Sequence, residues 1–143
     1  GSYLEKSYEN KFDLITLWAT IEHLHRPDLF LEKIHNDLDD GGRLYLSTCR
    51  AGGTSFMRLF GSRWRYYNFP EHLYFFSIRQ MRRLLAARGF RIVALGTYGS
   101  GFGRPGSPAR KAADFAAKRF GLGDMMLIAA EKTRQVPRAD QKY

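Results

Sequence analysis

Residues 12–49 carry a strand, a helix and a second strand in quick succession, and this unit limits the fold more than any other part of the chain. Phe12-Asp13-Leu14-Ile15-Thr16-Leu17-Trp18 is a short run of strand formers preceded by polar residues, which reads as a strand buried on both faces, as parallel sheets make. From Glu22 onward Leu24, Leu29, Phe30, Ile34 and Leu38 recur at helical spacing, and Pro27 is tolerated near a first turn, so a helix is expected from Asp28 to Leu38. Asp39-Asp40-Gly41-Gly42 is a turn signal, and Arg43 to Cys49 is a second strand. Strand, helix and strand within about forty residues make a βαβ unit with a right-handed crossover.

Further along, Ser77 can cap a helix through Ile78, Met81, Leu84 and Leu85, ended by Gly89. Phe90 to Tyr98 alternates as a strand. A loop rich in glycine and proline (Gly99 to Pro108), a basic amphipathic stretch (Ala109 to Phe120), a turn (Gly121 to Asp124) and a final apolar strand (Met125 to Ala130) follow. The class is α/β. No internal repeat or domain boundary interrupts it, and 143 residues with 44% hydrophobic content suit one domain with its own core. Gly1 and Ser2 read as the remnant of a cleaved tag, which places the true start inside a longer protein. Residues 3–132 are then the domain. The chain turns polar at Glu131 and is expected to fray, with 133–143 as a tail.

No run reaches the roughly 18 apolar residues that span a bilayer, and the N-terminus lacks the form of a signal peptide, so a soluble, cytoplasmic protein is expected. The single Cys49 excludes an intrachain disulfide and reads as a buried strand residue, with a nucleophile as the rival. The net charge of +9 is unevenly placed: nine arginines against one acid, Glu71, lie between Arg50 and Arg91. A solvated basic surface, a site for an anionic substrate, and a nucleic-acid or membrane contact all fit that pattern. No nucleic-acid motif accompanies it, which disfavours nucleic acid as the partner.

An α/β domain hosts many functions, so the sharper signal is a set of four phrases in order. They are Phe12-Asp13-Leu14-Ile15 followed by Ile21-Glu22-His23 and Pro27; Leu38 with Gly41-Gly42 before a strand; Glu71-His72-Leu73-Tyr74-Phe75-Phe76-Ser77 before a helix ending in Gly89-Phe90; and Gly123-Asp124 before the last strand. Together these resemble the second half of class I S-adenosylmethionine-dependent methyltransferases, especially the branch of the ubiquinone-biosynthesis O-methyltransferases. The resemblance spans about Phe12 to Lys132. It implies the C-terminal half of a Rossmann-like sheet, mixed parallel with an antiparallel last strand, and S-adenosylmethionine as the cofactor of the parent enzyme.

In that family the donor lies across the carboxyl ends of the parallel strands. The resemblance therefore implies that Leu17, Trp18 and Ala19 approach its methionine part, with the Trp18 ring offering a cation–π contact to the sulfonium; plain core packing is the other reading of Trp18. Glu22 and His23 match the family's Glu-His pair. Ubiquinone-type relatives add a glutamate three residues earlier to form a cation site, but Ala19 stands there, so no metal is expected. His23 then orders a loop or assists catalysis. His72 is the candidate general base, since an imidazole titrates near neutrality, or it is a histidine that ties the chain beside Glu71. Around it Phe56, Met57, Phe60, Trp64, Tyr66, Tyr67, Phe69, Tyr74 and Phe75 are dense enough to wall an acceptor pocket, with Trp64, Tyr66, Tyr67 and Tyr74 as its substrate-binding candidates.

The family's donor site also needs a strand, a Gly-rich turn and an acidic residue for the ribose, and nothing before Phe12 supplies them. Gly99-Ser100-Gly101-Phe102-Gly103 lies late in the chain, with proline soon after, and reads as a loop. The expected function is a fragment, itself inactive, of a methyltransferase acting on a small, anionic or lipid-linked acceptor. The rival is a binding or assembly module derived from that fold. Because the first strand would have paired with a missing one, a homo-oligomer closed through its free edge is also expected.

Overall fold

The computed structural model describes residues 1–52, 61–100, 102 and 104–133. Among the described residues the strands and α-helices follow in the order β1 (Phe12–Trp18), α1 (Pro27–Asp37), β2 (Leu38–Cys49), α2 (Ile78–Ala87), β3 (Phe90–Tyr98), α3 (Pro108–Phe120) and β4 (Met125–Lys132). They form a four-stranded sheet in the order β1-β2-β4-β3. β1 and β2 run parallel across α1, and β4 lies antiparallel to both of its neighbours. The mixed α/β sheet with an antiparallel last strand is thus the fold observed.

Local chemistry explains the helix limits. Ser77 Oγ accepts the Gln80 N–H at 3.2 Å while Gln80 Oε1 accepts the Ser77 N–H at 2.9 Å, a reciprocal cap whose loss costs about 1 kcal/mol. Pro27 and Pro108 stand in the first turns of α1 and α3, where a missing N–H does no harm. Helix α3 ends on Gly121 in the left-handed region. Leu31 and Ile34 of α1 and Met81 and Leu85 of α2 pack on Leu44 and Leu46 of β2 and on Met126, Ile128 and Ala130 of β4. Each fully buried Leu or Ile contributes about 1.5–3 kcal/mol of transfer free energy. The alternate residues Tyr45, Leu127 and Ala129 face the other way and line a shallow hollow with Ala94 and Gly96.

Three expectations need correction. β1 is not buried on both faces: none of its residues is fully buried, and Leu14 and Trp18 are 51% and 55% exposed. The reason is position, since β1 is the outermost strand, and only its Ile15 and Leu17 lean on the core. The turn expected at residues 39–42 lies instead inside β2, as a bulge in which β2 advances five residues while β1 advances two. Gly42 is required there, because a Cβ would come within 2.9 Å of the Asp39 carbonyl oxygen. Glu131 and Lys132 do not fray; they pair with Arg91 and Phe90 in β4, and Thr133 donates its N–H and hydroxyl to the Gly89 carbonyl, each at 2.8 Å. Among the described residues no helix is long and apolar enough to cross a membrane.

Candidate functional site

The parallel pair β1 and β2 ends in a short 3₁₀ turn, Ile21–His23, that closes over the carboxyl edge of the sheet. Ala19 makes the bend at φ 45°, a left-handed conformation that costs a residue with a Cβ about 1–3 kcal/mol. Its N–H is held by the Ser47 carbonyl at 3.0 Å, and Thr20 Oγ1 donates back to the Trp18 carbonyl at 2.9 Å. Ile21 is fully buried and anchors the turn. Glu22, 1% exposed, is drawn inward, where its Oε2 accepts the Thr48 hydroxyl at 2.8 Å. Its carboxylate is therefore tied to β2.

The segment from Trp64 to Phe76 is laced onto that turn. The Leu73 and Tyr74 N–H groups both donate to the Glu22 carbonyl, at 2.9 and 3.2 Å. His23 Nδ1 lies 2.7 Å from the Glu71 carbonyl oxygen and His72 Nδ1 lies 2.8 Å from the Tyr66 carbonyl oxygen. A carbonyl oxygen only accepts, so both Nδ1 atoms carry their hydrogens. The two rings meet edge to face with centroids 4.7 Å apart. One ligand-type atom from each of Glu22, His23 and His72 lies within 4.8 Å of the other two.

The proposed aromatic wall divides. Trp64 is 2% exposed and packs on Tyr66 and Phe75, with its indole N–H unpaired among the described residues. Tyr67 stacks on Phe75 at 5.4 Å and stays half exposed; Tyr74 stacks on Phe76 and donates its hydroxyl to the His25 carbonyl at 3.2 Å. Burial raises the pKa of the Tyr66 phenol. Phe56, Met57 and Phe60 lie outside the described residues. Leu17, Trp18 and Ala19 sit on the chain just before the Ile21–His23 turn, with Trp18 exposed.

Cys49 is buried, and desolvation, helped by the nearby Glu22 charge, pushes its thiol up to about 12. The arginines of this region differ in their surroundings, and Arg63 is exposed. Arg50 is buried and donates to the Gly121 and Gly123 carbonyls at 2.6 and 3.2 Å, and desolvation lowers its pKa. Arg88 pairs with Asp28, Arg91 with Glu131, and Arg65 lies over the Tyr66 ring. Arg79, Arg82 and Arg83 of α2 remain exposed, and Arg58 lies outside the described residues. The partner that sequence reading missed is Thr48. Its signal was present, since 44, 46 and 48 share the inward face of β2, where a hydroxyl needs a partner.

With this geometry in hand, comparison with known proteins gives the following. A sequence family described as "Methyltransferase domain" matches residues 3–95. No curated protein sequence matches. Among solved structures, a SAM-dependent methyltransferase from Thermotoga maritima is 19% identical with a TM-score of 0.68, covering 93% of this chain and 62% of its own. The Haloferax volcanii methyltransferase solved with the Trm112 methyltransferase activator is 12% identical with a TM-score of 0.65, covering 94% and 60%. The 1,6-didemethyltoxoflavin-N1-methyltransferase of Burkholderia thailandensis, solved with bound 1,6-didemethyltoxoflavin and S-adenosylhomocysteine, is 21% identical with a TM-score of 0.58, covering 91% of this chain and 48% of its own. The chain thus spans about half to two thirds of the length of the structures it matches. At these identities the likeness shows the fold.

Proposed function

The chain belongs to the methyltransferase-domain family, and from that premise we propose that it is the C-terminal half of a cytoplasmic S-adenosylmethionine-dependent methyltransferase of the ubiquinone O-methyltransferase-like branch, acting on a small, anionic or lipid-linked acceptor. The observation that carries this reading is the pair His23 and His72, each held through its Nδ1–H by a backbone carbonyl, set just beyond the carboxyl end of the outer strand of the parallel pair. Open α/β sheets take their ligands at that end. The short span relative to its structural neighbours supports the view that the Gly-rich turn and ribose-binding acid belong to a part of the domain outside this sequence.

The residues present fit one side of such a donor. Trp18 exposes an aromatic face suited to a cation, and Ala19 turns the backbone away from the strand end. Bound there, S-adenosylmethionine supplies an electrophilic methyl carbon whose bonding pair to sulfur leaves with the sulfur. The chain's own task is then to hold the acceptor in line and take its proton. His72 Nε2 accepts that proton from an acceptor hydroxyl, while the Tyr66 carbonyl fixes the tautomer that makes it a base. Tyr67 and Tyr74 supply exposed ring surface for the acceptor.

Calorimetric titration of this chain with S-adenosylmethionine tests the reading, with weak or no binding expected; tight one-to-one binding would overturn it. In a longer protein that includes the donor half, His72→Ala lowers kcat by about 100-fold and leaves donor affinity within a few-fold, with a milder effect for His23→Ala. Unchanged turnover where chemistry limits the rate makes His72 structural. The exposed apolar edge of β1 favours a second reading, a non-catalytic assembly module. The coding sequence upstream of Tyr3 separates the two, because only the enzyme needs a strand and Gly-rich turn there.

A further inference from the structure

We propose that the outward side of α3 is a docking surface for an anionic lipid bilayer, with the helix lying along the headgroups and two phenylalanine rings reaching below them. The inference concerns what this face binds and does not rest on the methyl-transfer reading.

Three observations carry it. The first is a second apolar strip on a helix that has already used one. Ala117 is the buried residue of α3, and Asp114 takes the Ser100 N–H and hydroxyl and pairs with Arg110, so this side faces the body of the protein. At about 100° per residue, Ala109, Ala112, Ala116 and Phe120 form a separate row, with Phe115 alongside it. Ala109 and Ala112 are exposed, and Phe115 and Phe120 are 73% and 69% exposed. Apolar surface gathered in this way and left in water marks a contact.

The second is charge. Lys111 and Lys118 stand beside Phe115, four residues before it and three after, and Arg119 follows at the next position; all three are exposed. The Arg119 guanidinium lies 5.9 Å from the centroid of the Phe120 ring, so cation and ring sit together. Asp114 is the one acid of the helix and is already paired, while among the described residues Lys111, Lys118 and Arg119 form no ion pair. Exposed rings bordered by long basic side chains fit an anionic interface, because the rings enter the acyl boundary while the cations stay with the phosphates. A second copy of the chain is a poorer occupant, since a two-fold contact would bring these cations onto one another.

The third is size and place. α3 has 13 residues, about 20 Å of helix against a hydrocarbon core of about 30 Å, so it lies on a bilayer and does not cross it. It packs on β3, the strand at the far end of the sheet from β1, so pairing along the β1 edge leaves it uncovered. A fluid bilayer moulds to a convex helix and needs no matching hollow.

The test is flotation of this chain with vesicles of phosphatidylcholine alone and of phosphatidylcholine with about one third phosphatidylglycerol. Binding to the mixed vesicles alone is expected, and it should weaken as salt is raised. Phe115→Ser should reduce it about tenfold, and Lys111→Gln and Lys118→Gln about fivefold each. Arg82→Gln, exposed on α2, makes the same change of charge away from this face and should leave binding within about twofold. Phe115→Trp should add emission that brominated lipid quenches beyond the wild-type signal. All four positions are exposed, so the variants keep the fold. Equal binding to both kinds of vesicle, binding to neither, equal losses in Arg82→Gln and the α3 variants, or no added quenching overturns the surface. Capture of single-stranded nucleic acid through Phe115 without vesicle binding overturns it as well.

Discussion

Ser100 gives both its backbone N–H and its hydroxyl to the same carboxylate oxygen of Asp114, at 2.6 and 2.7 Å, and so fastens the loop after β3 to the middle of α3. Arg110, one turn earlier on the helix, donates to the other oxygen at 2.8 Å. These bonds, the Ser100 N–H first among them, lower the Asp114 carboxyl to about 2. A carboxylate with a depressed folded-state pKa adds stability that is fully present above its unfolded value and is lost as the pH falls through the folded one. Between pH 4 and 2 the wild type should therefore lose more stability than Asp114→Asn does. Urea midpoints measured across that interval check this, and parallel acid limbs for the two proteins would contradict it.

Gly123 packs its Cα against the Tyr98 backbone so closely that a Cβ would lie 2.4 Å from both the nitrogen and the oxygen of Tyr98. Backbone cannot rotate away as a side chain end can. Gly123→Ala should cost about 3 kcal/mol, at the upper end of overpacking penalties, read as a lower denaturant midpoint at unchanged slope. Gly121→Ala, at φ 66° with open space around it, should cost only about 1 kcal/mol. Equal losses at the two sites would mean that conformation, and not the close approach, sets the requirement.

The same contrast separates what was legible in the sequence from what was not. Helix α2 could be read residue by residue, because Ser77, the apolar spacing and Gly89 act locally, and β3 and the final turn were readable for the same reason, while α3 was visible only as a basic amphipathic stretch. The edge position of β1 followed only from the family resemblance, while the exposure of its faces could not be read from its residues, since an apolar strand has the same composition whether it is covered or not. At the site, the residue types Glu22, His23 and His72 were visible. Their meeting was not, because it depends on the Glu22 carbonyl capturing the Leu73 and Tyr74 N–H groups across about fifty residues, a long-range pairing without any periodic signal.

Cys49 should be chemically silent in the folded chain. Its side chain is 1% exposed and its thiol is pushed up to about 12, so neither access nor thiolate is available at pH 8. Reaction with a disulfide reagent is expected to be limited by opening of the fold and to become immediate in denaturant. Labelling of the native protein within the mixing time would show that the carboxyl end of β2 is open and would remove the burial argument.

The last prediction concerns the outer edge of β1. The strand pairs with β2 on one side, while Phe12, Leu14 and Trp18 are 37%, 51% and 55% exposed and Asp13 is its one charged residue. Natural edges are blunted by lysine, proline or a bulge that turns the free N–H and C=O groups away from a partner. Here the irregularity lies at the start of the strand, between Phe12 and Leu14, and leaves Leu14 to Trp18 regular. A two-fold axis presents the same edge to itself, so antiparallel pairing of two β1 strands would satisfy the free backbone groups and cover the exposed rings. A dimer is expected by sedimentation velocity, and Leu14→Lys should dissociate it, because Leu14 is exposed in the monomer and a lysine there opposes its symmetry mate without disturbing the core. Slow hydrogen exchange of the outward β1 amides in the wild type, made fast in the variant, would place the interface on this strand. A monomer at high concentration, or a dimer that Leu14→Lys leaves intact with β1 amides exchanging freely, would rule out pairing through this edge.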